Sequence, residues 1–164
     1  MRQLLFLIII CAGITVFTDE PSFKVKSSEF AHSEDIPAKY TCKGININPP
    51  LQLEDVPEGT RSLVIIMDDP DATNGTFDHW IIWNIPVQNV IEEGSVPGNT
   101  GLNSKGENKY TGPCPPSGKH RYFFKVYALD SKLELPSSTK KVQLEMAMQD
   151  HILGKAELMG FFQK

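Results

Sequence analysis

Leu63-Val64-Ile65-Ile66-Met67 is apolar without a break and stops abruptly at Asp68-Asp69. A run this short, with no polar position, has no side suited to solvent, so it reads as a strand covered on both faces. Trp80-Ile81-Ile82-Trp83-Asn84-Ile85 and the stretch Tyr122 to Leu129 are rich in aromatic and β-branched residues, and both read as further strands. Trp80 and Trp83 lie three apart, so on a strand they face opposite sides and belong to the core. Each of these runs joins directly to a segment in which Asp or His stands beside Pro and Gly.

The remainder supports a mainly β chain. Asn89 to Ser117 is dense in Gly, Asn, Pro and Ser and has little periodicity, which predicts a long irregular connection. After Ser137-Ser138-Thr139, which offers N-cap residues, Leu144, Met148 and Ile152 recur at four-residue spacing with Ala147 on their face. The spacing predicts one helix, stopped near Gly154. Ala156, Leu158 and Phe162 then suggest a last strand. No repeat, low-complexity stretch or linker divides residues 19–164, which read as one domain.

The opening MRQLLFLIIICAGITVFTDE has one basic residue, an apolar run from Leu4 to Ala12, small residues at Ala12 and Gly13, and then Asp19-Glu20. This pattern predicts a secretory signal peptide over residues 1–18 and an exported, periplasmic or secreted protein. The apolar run is shorter than the roughly 20 residues that span a bilayer, so no stable membrane span is expected. Without residues 1–18 the chain keeps 15 basic against 20 acidic residues, hence a net charge of −5. That balance offers no basic stripe and argues against nucleic-acid binding. Cys42 and Cys114 would then be the remaining cysteines, free to pair in an oxidising compartment or to stay as partly buried thiols.

The polar residues flanking the strands suggest a site built from loops. Asp69 and Asp71 stand where a strand gives way to a loop, and His79 begins the next strand. His120 and Tyr122 begin another, where alternation puts them on one face. His79 and His120, with backbone N–H groups around Gly112, are donors suited to an anionic group such as a phosphate. The carboxylates of Asp69 and Asp71 repel an anion unless one of them holds an imidazole by hydrogen bond and favours its charged form. Other uses compete: a metal site from Asp69, Asp71, His79 and His120, which lacks a specific ligand spacing; a Cys114 nucleophile with His120 as base, which a disulfide would abolish; and Asp and His groups that merely satisfy one another. No cofactor is expected. His151 is placed on the helix, in a capping or packing role.

Asp68-Asp69-Pro70-Asp71-Ala72, followed by His79-Trp80 and by Gly112-Pro113-Cys114-Pro115-Pro116-Ser117-Gly118-Lys119-His120-Arg121-Tyr122, resembles the two signature segments of the phosphatidylethanolamine-binding protein family. Tyr40-Thr41-Cys42-Lys43-Gly44, Asn48-Pro49-Pro50-Leu51 and Tyr127-Ala128-Leu129-Asp130 look like its short prokaryotic, Raf kinase inhibitor-like branch. The resemblance implies an antiparallel β-sandwich-like fold with peripheral helices. It also implies a pocket for phosphate-bearing groups formed by Asp69, Asp71, His79, Gly112, Pro113, His120 and Tyr122. Thr73 departs from the pattern, since many relatives carry Pro there, and this alters the loop that shapes the pocket. The expectation is a non-enzymatic binding protein for a phospholipid headgroup or phosphorylated ligand. The alternatives are a modulator of another protein, acting through the long loop, and a hydrolase.

Overall fold

The computed structural model describes residues 22–164, so the expected leader lies outside the described residues. In chain order the strands are β1 (Lys24–Lys26), β2 (Glu34–Asp35), β3 (Leu51–Glu54), β4 (Ser62–Asp69), β5 (Phe77–Ile85), β6 (Val90–Ile91), β7 (Asn99–Thr100), β8 (Lys119–Leu129) and β9 (Ile152–Gln163). One α-helix, α1 (Lys141–Met148), precedes β9. Six strands form a sheet in the order β2-β9-β8-β4-β5-β7, and three form a smaller one in the order β1-β3-β6. The pairings are antiparallel except for the two-residue contact of β2 with β9. The mainly β architecture with a helix near the C-terminus is thus the one the residues predict, and its antiparallel sheets are those the family resemblance implies.

β4 is buried along its whole length because the large sheet is covered on both faces. Leu63, Ile65 and Met67 turn toward the small sheet and pack in one core with Val25, Leu53 and Ile91. Val64 and Ile66 turn the other way and pack with Leu133 and with Leu144 and Met148 of α1. The tryptophans divide as alternation requires, Trp80 into the first core and Trp83 into the second. Each fully buried side chain of this size contributes on the order of 1.5–3 kcal/mol relative to exposure.

A polar tie also holds the helix to the sheet. Asp68 is buried at the end of β4, where it accepts from Lys125 Nζ at 2.7 Å and from Lys141 Nζ at the start of α1. Burial works against the Lys141 ammonium, but the Asp68 carboxylate outweighs it and keeps its pKa above the ordinary lysine value.

Two elements differ from the sequence-based expectation. The helix begins after Lys140, whose N–H donates to Gln143 Oε1 at 2.9 Å, while Thr139 Oγ1 instead closes a turn onto the Pro136 carbonyl at 2.6 Å. It ends at Met148. A 3-10 turn over Gln149–His151 follows, and Ile152 opens β9 opposite Leu129. The four-residue spacing from Met148 to Ile152 is therefore not a helical contact; pairing with β8 overrides it. The connection from Asn89 to Ser117 also carries two short strands, β6 on the small sheet and β7 on the large one.

Candidate functional site

The end of the large sheet that faces the small-sheet core opens into a cavity of about 290 Å³. Asp69 reaches it from the last residue of β4, and His120 and Tyr122 from the first turnings of β8, where buried and less buried residues alternate. His79 arrives by a different device. The β4–β5 ladder steps from Met67–Trp80 to Asp68–Asp78, so His79 is the extra residue of a bulge. Bulges re-aim side chains at the ends of sheets. Here the imidazole lies 4.7 Å from the Phe77 ring and 5.3 Å from the Tyr122 ring, centroid to centroid.

Asp69, His79 and His120 are 3%, 5% and 9% exposed, which makes every unpaired polar atom among them costly. The His120 Nδ1–H donates to Asp69 Oδ2 at 2.8 Å, and Asp69 Oδ1 accepts from the Asp71 N–H at 2.8 Å. Asp69 therefore serves both as orienter of one imidazole and as brace for its own loop. The His79 Nδ1–H donates to the Thr111 carbonyl at 2.6 Å; a carbonyl only accepts, so the proton is on Nδ1 and Nε2 carries the lone pair. Burial pushes the His79 pKa below the ordinary histidine value, against the smaller opposing pull of the Thr111 carbonyl. Burial, then the Asp69 charge, push the Tyr122 phenol upward, so it stays a protonated donor. Its hydroxyl is buried without a partner in hydrogen-bonding geometry.

The loop ahead of β8 is stitched to the Tyr40–Asn46 segment. A disulfide joins Cys42 to Cys114 with the Cα atoms 5.4 Å apart, and the Cys42 N–H donates to the Pro113 carbonyl at 3.1 Å. The Gly112 N–H donates to Asn46 Oδ1 at 2.7 Å. A Cβ on Gly112 would lie 2.6 Å from that same oxygen and 2.9 Å from Thr41 Cα, and would also collide with the Tyr40 carbonyl. Gly112 is thus glycine for close backbone approach, and its amide is committed within the protein rather than offered to an anion.

Of the residues expected at the site, Asp69, His79, Gly112, His120 and Tyr122 line the cavity together. Asp71 and Pro113 are not among the lining residues. Asp71 accepts from the Arg121 N–H and Nε at 2.9 Å and from its Nη2 at 2.6 Å, and the guanidinium holds its carboxyl down at about 2. Pro113 instead ties the loop to the Cys42 segment, its carbonyl accepting from the Cys42 N–H. The bond of Cys114 to Cys42 occupies the sulfur that a thiolate nucleophile would need. Thr111 and Lys105, neither singled out in the sequence, also line the cavity. His151 sits in the 3-10 turn after α1, paired with Asp130 at 2.8 Å and away from the site.

The family model described as phosphatidylethanolamine-binding protein matches residues 26–163, nearly all of the described chain. This chain belongs to the phosphatidylethanolamine-binding protein family. A UPF0098 protein of Pyrococcus horikoshii is 47% identical to it over 158 residues, covering 89% of this chain and 79% of the relative. A UPF0098 protein of Chlamydia trachomatis is 43% identical over 148 residues, covering 86% and 99%. Among solved structures, a phosphatidylethanolamine-binding protein homologue from Chlamydia trachomatis superposes with a TM-score of 0.84 at 42% identity, covering 87% of this chain and 98% of the other. E. coli YbcL, described as a new member of the mammalian phosphatidylethanolamine-binding protein family, superposes with a TM-score of 0.81 at 28% identity, covering 87% and 99%. The phosphatidylethanolamine-binding protein fold thus accounts for both sheets.

Proposed function

We propose that this chain is an exported, non-enzymatic binding protein whose cavity accepts a phosphate-bearing group, either a phospholipid headgroup or a small phosphorylated ligand. Membership of the phosphatidylethanolamine-binding protein family supports a binding protein. The observation that carries the finer reading is the buried Asp69–His120 pair, which opens with His79 and Tyr122 into one cavity. Each imidazole is anchored through Nδ1, to a carboxylate in one case and a carbonyl in the other, so Nε2 is the atom left for a ligand. A neutral Nε2 accepts from a phosphate O–H, and a protonated one donates to an anionic oxygen. Phe77, Ala72, Pro115 and Pro116 supply an apolar wall beside these polar groups, as small-molecule sites commonly do.

Calorimetric titration with glycerophosphoethanolamine and with glycerol 3-phosphate tests the reading. At least one of the two is expected to bind saturably. His79→Ala and His120→Ala, taken as proteins with native circular dichroism, are each expected to weaken it by about 1.5–3 kcal/mol, the scale of a hydrogen bond to a charged group. Affinity equal to wild type in both variants, or no binding by wild type, would make the constellation a structural one.

A further inference from the structure

Among the described residues around the cavity, Lys105 stands out as the sole ammonium, as Asp69 is the sole carboxylate. Neighbouring cations are already engaged: Arg121 with Asp71, Lys119 with Asp35, and Lys109 with Glu107 at 3.3 Å. Among the described residues Lys105 makes no ion pair.

Its backbone is nevertheless tightly held. The buried Asn103 side chain accepts from the Lys105 N–H at 2.9 Å and the Glu107 N–H at 3.0 Å through Oδ1. Through Nδ2 it donates to the Lys109 carbonyl at 3.0 Å and to Thr111 Oγ1 at 3.1 Å. The Gly106 N–H closes the same turn onto the Asn103 carbonyl at 2.9 Å, with Gly106 at a φ of 75°. The turn is clamped to the start of β5, since the Ser104 N–H donates to the Asp78 carbonyl at 2.9 Å and Ser104 Oγ accepts from the Asp78 N–H at 2.8 Å. One buried amide therefore fixes both the Lys105 turn and the residue that anchors His79.

Resting on the phosphate-binding reading above, we propose that Lys105 is a ligand-contacting residue that supplies the positive charge of the site and sets its preference for anions. The electrostatics favour such a group. Asp69 repels an anion, His79 is kept neutral chiefly by burial, and the Gly112 amide is spent on Asn46. An unpaired ammonium at the edge of the same cavity offsets the carboxylate and attracts the phosphate while remaining hydrated until the ligand arrives. The charge of Lys105 already reaches the His79 ring, where it adds to burial in disfavouring the imidazolium.

The test is calorimetric titration of wild type, Lys105→Gln, Lys105→Arg and Lys109→Gln with inorganic phosphate and with glycerophosphoethanolamine, at low and high ionic strength. Lys105→Gln is expected to bind about tenfold more weakly at low salt, the scale of one charge-assisted hydrogen bond. The gap to wild type should narrow as salt screens the ammonium. Lys105→Arg should recover most of the loss, and Lys109→Gln should match wild type. The probe that shows the larger loss identifies whether the site favours a free phosphate or a headgroup diester. If Lys105→Gln binds as wild type does while His79→Ala loses affinity, the role of Lys105 is refuted and phosphate binding stands. If Lys109→Gln loses as much as Lys105→Gln, the effect is a general field and the assignment fails. If wild type binds neither probe, both readings fall.

Discussion

His79 is held in a buried position with its Nδ1–H on a carbonyl, and that placement gives it a measurable signature. Burial lowers its pKa in the folded state below the unfolded value near ~6.5. The unfolded chain then binds a proton that the folded chain resists, so the stability contribution is complete above the unfolded pKa. It is lost as pH falls toward the folded pKa. Unfolding free energy measured against pH should fall below about pH 6.5, and His79→Gln should remove part of that slope. An unchanged slope in the variant would mean that His79 titrates as it does in the unfolded chain. At this scale much of the cavity lining was legible: Asp69, His120 and Tyr122 follow from strand ends and alternation. The aim of His79 was not, because a bulge arises from the pairing of two strands and leaves no local mark. Lys105 was hidden for a similar reason, since Asn103 reaches it through a turn with no periodicity. The separate roles of Asp69 and Asp71 were also unreadable, since they depend on which partner, His120 or Arg121, each carboxylate meets in space.

Among the elements, the three hydrophobic runs were the most legible because their burial is dictated by composition: β4 has no polar side, so the fold must cover both its faces. The end of α1 was misread, since Ile152 fits a helical spacing and a strand equally well and the β8 ladder decides between them. Loops behave differently. The Tyr40–Asn46 segment and the loop carrying Gly112 are far apart in sequence, and the disulfide between Cys42 and Cys114 binds one to the other across a separation of 72 residues. Both cysteines are exposed, so the bond is accessible to reductants without unfolding. Closing a loop of this length restricts the unfolded chain, and reduction is expected to lower stability by about 2–4 kcal/mol in chemical denaturation. Two alkylatable thiols in native protein from its own compartment would remove the basis for that expectation.

Among the described residues, two sheets and one α-helix make two cores around a central sheet, and the candidate site occupies the end where β4, β5 and β8 all terminate or begin. A rigid three-strand platform with loops at one end is a general way to hold polar groups in fixed relation. Export is proposed at this same scale, from the apolar run Leu4 to Ala12 and the acidic residues that follow. Terminal sequencing of protein from its native host should find a mature N-terminus between Gly13 and Glu20, whereas intact Met1 on cytoplasmic protein would reject export. The central claim, that the cavity receives a phosphate-bearing group, has a direct reporter in the four histidines of the chain. His79 and His120 line the cavity, whereas His32 and His151 lie elsewhere. Imidazole carbon–proton NMR spectra recorded during a titration with glycerophosphoethanolamine, and again with inorganic phosphate, separate the two pairs at constant pH. If the cavity receives such a group, His79 and His120 shift saturably with one of these ligands while His32 and His151 stay in place; shifts of all four together, or of none with either ligand, would mean that it does not.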